Sequence, residues 1–146
     1  MAGLDVFAKR MSRISVEVEG GVEQAVKDCA VAVARTVINA TPVDTGRARS
    51  NWTVELDQAF QKLFPAHVPG EKGSTATANA EIAIEKAEAA IDQFDICKNS
   101  SIHISNSLPY IGVLNDGHSA QAPADFVKLA VIDGLATVRN AKILKD

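Results

Sequence analysis

The stretch GVEQAVKDCAVAVARTVINA, residues 21–40, carries the strongest helical periodicity in the chain. Its larger apolar side chains recur at steps of three and four residues, which places them on one face of a helix; they are Val22, Val26, Cys29, Val33 and Val37. Small alanines widen this face and allow a sheet or a second helix to approach closely; they are Ala25, Ala30 and Ala34. The helix is predicted to end before Pro42, because proline disfavours helical geometry in the residue before it.

Upstream of this helix the pattern is weaker. Residues 4–11 are predicted to form a short helix, and Ile14, Val16 and Val18 alternate with polar residues over too short a span to decide. Since a stable sheet needs more than two strands, we expect further short strands near residues 14–18 and in the C-terminal tail.

Downstream of the helix, the composition of residues 43–47 predicts a turn. Asp44 can bond backbone amides ahead of it, and Gly46 can adopt a positive φ. Alternation in the next segment predicts a strand over residues 52–56, with its three apolar side chains facing inward; these are Trp52, Val54 and Leu56. Residues 57–77 lose all periodicity, and a connection of that length is typical of a functional or mobile loop.

The second half of the chain predicts two helices and one strand. Residues 76–94 read as an Ala-rich helix, residues 101–106 as a strand, and the last helix begins near residues 123–125 and continues through Val138. Strands and helices do not alternate regularly, so the fold class is predicted to be α+β. We expect a long N-terminal helix and further helices packed on a small, mainly antiparallel sheet, in a single domain over residues 1–146.

Composition excludes several classes of protein. The net charge of −3 across 146 residues argues against a general nucleic-acid binder, which needs a basic surface. No apolar run approaches the roughly 20 residues that cross a bilayer, and the start of the chain lacks a charged leader, so we expect a soluble chain made in the cytoplasm. Cys29 and Cys97 do not form a CxxC pair, and both are predicted to be small buried apolar residues.

Catalytic signals are weak. Asp44-Thr45-Gly46 matches the tripeptide of aspartic proteases, but it follows a long helix instead of lying between apolar strands, which favours a plain turn. Residues 70–75 have the composition of a phosphate-binding loop without its order. The three histidines lack ligand spacing, so neither a metal nor a cofactor is expected; they are His67, His103 and His118.

Two polar loops stand out. The first contains Arg47 and Arg49, and the second, residues 108–123, contains the sole tyrosine, Tyr110, with two glycines and two prolines that shape the chain. Such a loop suits an interaction surface. In the alternative interpretation, Tyr110 and Leu114 pack a short helix onto the sheet, and residues 115–121 serve only as caps and turns.

Three stretches together resemble a known family. They are ATPVDTGRARSNW (40–52), ISNSLPY (104–110) and LNDGHSAQAP (114–123). Their order and separation resemble those of the neck and tail-completion proteins of tailed bacteriophages, in which the first motif follows a long N-terminal helix and the last precedes the final helix. His118 departs from this pattern, because a bulky aromatic is common there, and Asp125 stands where a glycine often sits.

The resemblance implies a structural virion protein of the neck or tail end, without catalytic activity. It implies a homo-oligomeric ring, sixfold like the tail tube, which surrounds the DNA channel and contacts adjacent neck, connector and tail-tube proteins. The genome would pass without specific binding, and the protein would be assembled in the host cytoplasm and reside in the virion. Six residues are expected to form or support contacts between subunits or rings: Arg47, Arg49, Tyr110, Asn115, Gln121 and Phe126. The rival hypotheses are a small aspartic-type hydrolase using Asp44 and a monomeric adaptor that binds a host protein.

Overall fold

The computed structural model describes residues 2–122 and 124–144. Five helices and two strands occur there in the order α1 (Ala2–Ala40), α2 (Arg47–Ser50), β1 (Trp52–Leu56), α3 (Ala76–Asp92), β2 (Ile102–Asn106), α4 (Ile111–Asn115) and α5 (Phe126–Arg139). This architecture confirms the predicted α+β class, with a long N-terminal helix and a small antiparallel sheet. Among the described residues, no helix combines the length and apolar character needed to cross a membrane.

Helix α1 is continuous over 39 residues, about 58 Å at 1.5 Å per residue. Residues 4–11 are therefore helical as predicted, but they belong to the long helix α1 and not to a short helix of their own, and the possible strand near residues 14–18 is wrong. Apolar residues at positions 4, 7, 11, 14 and 18 repeat at helical spacing across both segments, and no proline interrupts them. The helix ends at Ala40, before Pro42, as predicted.

The sheet consists of β1 and β2, which pair antiparallel from Trp52 opposite Asn106 to Leu56 opposite Ile102. Both predicted strands are confirmed, but the further strands expected near residues 14–18 and in the tail are absent from the described residues. Helices cover the sheet instead: Trp52 and Val54 are buried in one core cluster with residues of α1 and α3. A two-stranded ribbon is stable when it packs against a helix in this way.

Alanines bring the helices together. Ala34 of α1, Ala83 and Ala87 of α3, and Ala130 of α5 are all buried in the core cluster. Of the apolar face predicted for residues 21–40, the three alanines and Val37 are buried, whereas the other large side chains are half-buried. Close approach of the helix backbones explains this difference, because small residues let the partner helix lie over the alanine row.

Neither cysteine is fully buried, so that prediction is wrong. Cys29 is half-buried beside α5, and Cys97 is exposed in the turn between α3 and β2. An apolar character alone does not bury a residue, because the turn before β2 lies at the surface, where most connecting segments lie.

The segment 57–75 contains no helix or strand, but polar contacts hold its middle to the rest of the chain. Asn51 donates through Nδ2 to the Phe64 carbonyl at 2.7 Å and accepts from the Phe64 amide at 3.1 Å. The amides of His67 and Val68 donate to Ser50 Oγ and Asn79 Oδ1. The segment therefore lies along α2 and α3 in a specific arrangement.

Asp57 is expected to contribute an acid-sensitive part of the stability. Its carboxylate accepts hydrogen bonds from Asn99 Nδ2 at 2.8 Å and from the Ser100 amide at 2.6 Å, and these contacts lower its pKa to about 2. The unfolded carboxyl titrates near 3.9, so this contribution is complete above about pH 4 and is lost as the pH falls through about 2.

Urea unfolding between pH 2 and pH 7 measures this contribution. The Asp57→Asn variant should show a shallower loss of stability between pH 4 and pH 2 than the wild type, whereas Asp116→Asn, a change at an exposed carboxyl, should retain the wild-type slope. Equal slopes for all three proteins would contradict the assignment.

Candidate functional site

The two loop motifs meet at one surface groove of about 370 Å³, the interloop groove. Residues 42–48 form one wall, and residues 110–121 contribute the other. The second wall is lined by Tyr110, Leu114, His118, Ser119 and Gln121. Stretches of sequence that lie about 60 residues apart are thus neighbours in the fold.

Gln121 connects the two walls. Its Oε1 accepts from the Val43 amide at 2.8 Å, and its Nε2 donates to the Val43 carbonyl at 2.9 Å. One side-chain amide thereby satisfies both backbone groups of Val43, as a neighbouring strand would. The predicted interface residue Gln121 therefore fixes the position of the second loop on the first.

Thr41 and Trp52 form a buried polar contact at the two ends of the first motif. Thr41 Oγ1 accepts from Trp52 Nε1 at 2.8 Å and donates to the Val37 carbonyl at 2.6 Å. A buried indole N–H needs such a partner. This contact sets the direction in which the chain leaves α1.

Arg49 lies within the fold and satisfies carbonyl groups at the end of α1. Its guanidinium donates to the carbonyls of Asn39 at 2.8 Å, Thr41 at 2.9 Å and Ala76 at 3.1 Å. Carbonyls at a helix C-terminus lack partners within the helix, and a cation there is favourable. Partial burial lowers the pKa of Arg49 from its usual value. Arg49 thus connects α1 to the start of α3.

Arg47 differs from Arg49 although the two residues are only two positions apart. Its side chain is exposed, and among the described residues no hydrogen bond or ion pair reaches its guanidinium. Arg47 lines both the interloop groove and a neighbouring depression of about 520 Å³ lined by Leu63, Phe64 and Pro65. Tyr110 is exposed on the opposite wall of the groove. These two predicted site residues face the solvent.

Asn115 and Phe126 position the start of α5. Asn115 Oδ1 accepts from the Val127 amide at 3.0 Å, and its carbonyl accepts from the Asp125 amide at 2.7 Å. Phe126 is buried in the core. Asp125 has a φ of 59°, the region that glycine adopts without cost, which explains why the related pattern often has glycine there. Pro123, the last residue of the second loop, lies outside the described residues.

Asp44 connects its turn to the segment 57–75. Its Oδ1 accepts from the Lys72 amide at 3.0 Å, and its carbonyl accepts from the Gly73 amide at 2.8 Å. Asp44 was predicted to accept from amides just ahead of it in the turn, and this prediction is wrong. The amides that it bonds belong to the segment 57–75, which folds back over the turn. Gly46 has the predicted positive φ, 85°.

The groove offers little catalytic chemistry. Among the described residues that line it, Asp44 is the single carboxylate, whereas aspartic protease chemistry uses two carboxyls that share a proton. No three His, Cys, Asp or Glu side chains in the described part of the chain lie close enough together to hold a metal ion.

Asn79 is the structural residue that sequence reasoning missed. It is fully buried in α3, where its Oδ1 accepts from Ser50 Oγ and the Val68 amide, and its Nδ2 donates to Val68 and Thr75. A Cβ at Gly46 would lie 2.1 Å from Asn79 Nδ2, so the glycine permits this approach. The sequence indicates this role only through the position of Asn79, because asparagine is a poor helix former and stands alone inside an Ala-rich helix.

Comparison with known proteins identifies the family. The family model described as "Bacteriophage HK97-gp10, putative tail-component" matches residues 5–91, more than half of the chain. This span includes most of α1, the first motif, β1 and most of α3. No curated protein and no solved structure gave a match. The chain therefore belongs to the HK97-gp10-like family, and it is a structural component of a bacteriophage tail.

Proposed function

We propose that the protein is a ring subunit at the phage neck or tail end, where copies surround the DNA channel and complete the tail or join it to the head. Membership of the HK97-gp10-like family supports the coarser part of this proposal, namely that the protein is a component of the tail. The order of the two loop motifs supports the finer assignment, because it resembles that of neck and tail-completion proteins. The proposed ring is sixfold, to match the tail tube, and its neighbours are the adjacent connector and tail-tube proteins.

The interloop groove is the observation that carries this proposal. Gln121, Thr41 and Arg49 fix its walls through contacts within the chain, and Arg47 and Tyr110 remain exposed at its surface. A surface held in one shape loses little conformational entropy on binding, which favours assembly. Arginine and tyrosine are also enriched among the residues that dominate the energy of protein interfaces.

We assign different roles to the six expected interface residues. Arg47 and Tyr110 contact the neighbouring protein directly, the guanidinium through a carboxylate and the ring through an apolar side chain. The other four support that surface through contacts within the chain that hold the two loops and the start of α5: Arg49, Asn115, Gln121 and Phe126. The proposed partner segment is therefore mixed in character, with an acidic group beside an apolar one.

The charge of the chain fits a role around the genome. With a net charge of −3, a ring of identical copies presents no overall excess of basic groups to duplex DNA. Binding to phosphates depends on such groups, so the genome passes without being retained. The protein resides in the virion after assembly in the host cytoplasm. Tight, sequence-independent binding of duplex DNA at physiological salt would contradict this part of the proposal.

A complementation experiment tests the role of the groove. In a phage lacking the gene, the double variant Arg47→Glu/Tyr110→Ala should reduce both virion incorporation and infectious titre by about 100-fold or more, as loss of two interface residues of about 2 kcal/mol each implies. Its thermal unfolding should match that of the wild type, since both side chains are exposed.

Lys62→Glu is the matched control, because Lys62 is an exposed cation outside the groove. It should support normal titre. Wild-type titre from the double variant would contradict the proposed groove contact. A wild-type protein that remains monomeric and never enters virions would favour the adaptor hypothesis, and a proteolytic activity abolished by Asp44→Asn would favour the hydrolase.

A further inference from the structure

The N-terminal half of α1 carries an apolar row without a cover, which we call the N-terminal seam. It consists of Leu4, Phe7, Met11, Ile14 and Val18, at alternating steps of three and four residues on one face of the helix. Leu4 and Phe7 are each 61% exposed, and Met11 is 49% exposed. Large side chains arranged in a stripe at this exposure are typical of a protein interaction site.

The same face of α1 is covered farther along the helix. Continuing the steps of three and four leads to Gly21, Ala25, Cys29, Val33 and Thr36. A Cβ at Gly134 of α5 would lie 2.4 Å from Val33 Cγ2, and Thr36 Oγ1 donates to Asp133 Oδ2 at 3.2 Å. The backbone of Ile143 lies against Gly21. The row is therefore a packing surface for α5 and the segment after it from Thr36 to Gly21. From Val18 to Leu4 the row is exposed except at Ile14, which is half-buried.

Helix α5 has an apolar outer face of its own. Phe126, Ala130 and Gly134 are buried on its inner side. On the other side lie Leu129, Ile132 and Leu135, which are 47%, 52% and 50% exposed. Val131 and Val138 extend this outer face. From Leu129 to Val138 the outer face spans about 14 Å, and the N-terminal seam spans about 21 Å from Leu4 to Val18, at 1.5 Å per residue.

We infer that the N-terminal seam of one copy packs against the outer face of α5 in the next copy, in a head-to-tail contact. This inference rests on the proposed function, in which copies of the chain associate into a ring. It places the contact between copies on a surface separate from the interloop groove. The two faces lie on different elements, so a contact between them leaves one of each free for the next subunit. That is the requirement for closing a ring. Pairing two N-terminal seams would instead end at a dimer and leave the outer face of α5 exposed.

Area and charge support a second copy as the occupant. The two faces contain ten large side chains, of which nine are 36–61% exposed and Ile14 is half-buried. Together they offer on the order of 1,000 Å² of mostly apolar surface, close to the lower bound for a specific interface. Residues 2–20 contain three basic and three acidic side chains, so the segment carries no net charge. A helix that lies on anionic lipid instead has a polar face rich in Lys and Arg.

Cross-linking tests the contact directly. In a Cys29→Ala/Cys97→Ser background, Phe7→Cys and Ile132→Cys are made separately and together, and each protein is oxidised both at high concentration and in assembled particles. We expect mixtures of the two single variants to form disulfide-linked heterodimers, each single variant alone to form no covalent dimer, and the double variant to form a ladder of covalent oligomers.

Val16 supplies the matched control, because it is 69% exposed on a different face of the same helix. Val16→Cys mixed with Ile132→Cys should not cross-link. In sedimentation, Phe7→Asp should weaken self-association at least 10-fold and Val16→Asp less than about 3-fold, the difference expected between a position inside the interface and one outside it.

Three results would overturn the inference: dimers from Phe7→Cys alone, no heterodimer under either condition, or flotation with anionic phosphatidylserine vesicles without any cross-link. These outcomes are separable from the proposed function. A ring visible in particles without the Phe7–Ile132 cross-link would refute this contact and leave the neck assignment standing. A ladder of cross-linked oligomers from a protein that is absent from virions would support this contact and refute the neck assignment.

Discussion

Replacing Asn79 by alanine is expected to lower the free energy of unfolding by about 3 kcal/mol or more. The side chain is fully buried, and its removal leaves the Val68 amide and carbonyl without their partner. It also takes one contact from the Ser50 hydroxyl, which keeps its bond to the Gly46 carbonyl. Alanine is the better helix former, so the loss must come from the polar contacts. Because Ser50 and Val68 belong to α2 and the segment 57–75, both should loosen together.

Urea denaturation of the isolated protein measures this effect. Thr77→Ala is the control, since Thr77 is an exposed residue of the same helix. It should change the free energy of unfolding by less than about 0.5 kcal/mol. A cost below about 1 kcal/mol for Asn79→Ala would contradict the account of Asn79 as the residue that holds these three segments together.

Replacing Phe126 by alanine is expected to cost about 3–5 kcal/mol of unfolding free energy. The ring is 1% exposed and lies in the core cluster with residues of α1, α3 and the sheet. Its loss leaves a cavity where the first turn of α5 meets the body. Leu129→Ala, at a half-exposed position on the same helix, should cost less than about 1 kcal/mol.

The Phe126→Ala variant also separates two ways in which Phe126 affects assembly. If Phe126 supports an interface from within the fold, Phe126→Ala reduces assembly only together with stability. A Phe126→Ala variant that keeps wild-type stability but fails to assemble would instead mean that the Phe126 side chain contacts a neighbouring subunit directly. The burial of this side chain argues against that outcome.

Local patterns were enough to predict most elements. Strand β1 has the predicted bounds, and β2 and the end of α1 follow closely, because alternation, helical spacing and Pro42 act within a few residues. The continuity of α1 was missed because residues 14–18 alternate over a window too short to reveal the longer three-and-four spacing. The extra strands were expected on general grounds, and the helices that cover the sheet made them unnecessary.

The candidate site was predictable in its members but not in their roles. The motifs identified Gln121 and Arg49, yet the partner of Gln121 is Val43, which lies 78 residues away and is set only by the tertiary fold. Arg47 and Arg49 are the same residue type two positions apart. Only the short helix α2 decides that one guanidinium contacts α1 while the other faces the solvent. Asn79 shows the same limit, because burial of a polar side chain depends on what packs over it.

Cryo-electron microscopy of the neck and tail end of the phage that encodes this chain tests the central claim most directly. We expect a ring of identical subunits around the DNA channel, with sixfold symmetry, in which the 39-residue α1 and the interloop groove can be traced and Arg47 and Tyr110 face a neighbouring protein. A complete neck and tail end whose rings contain no density that this chain can fill would contradict the account.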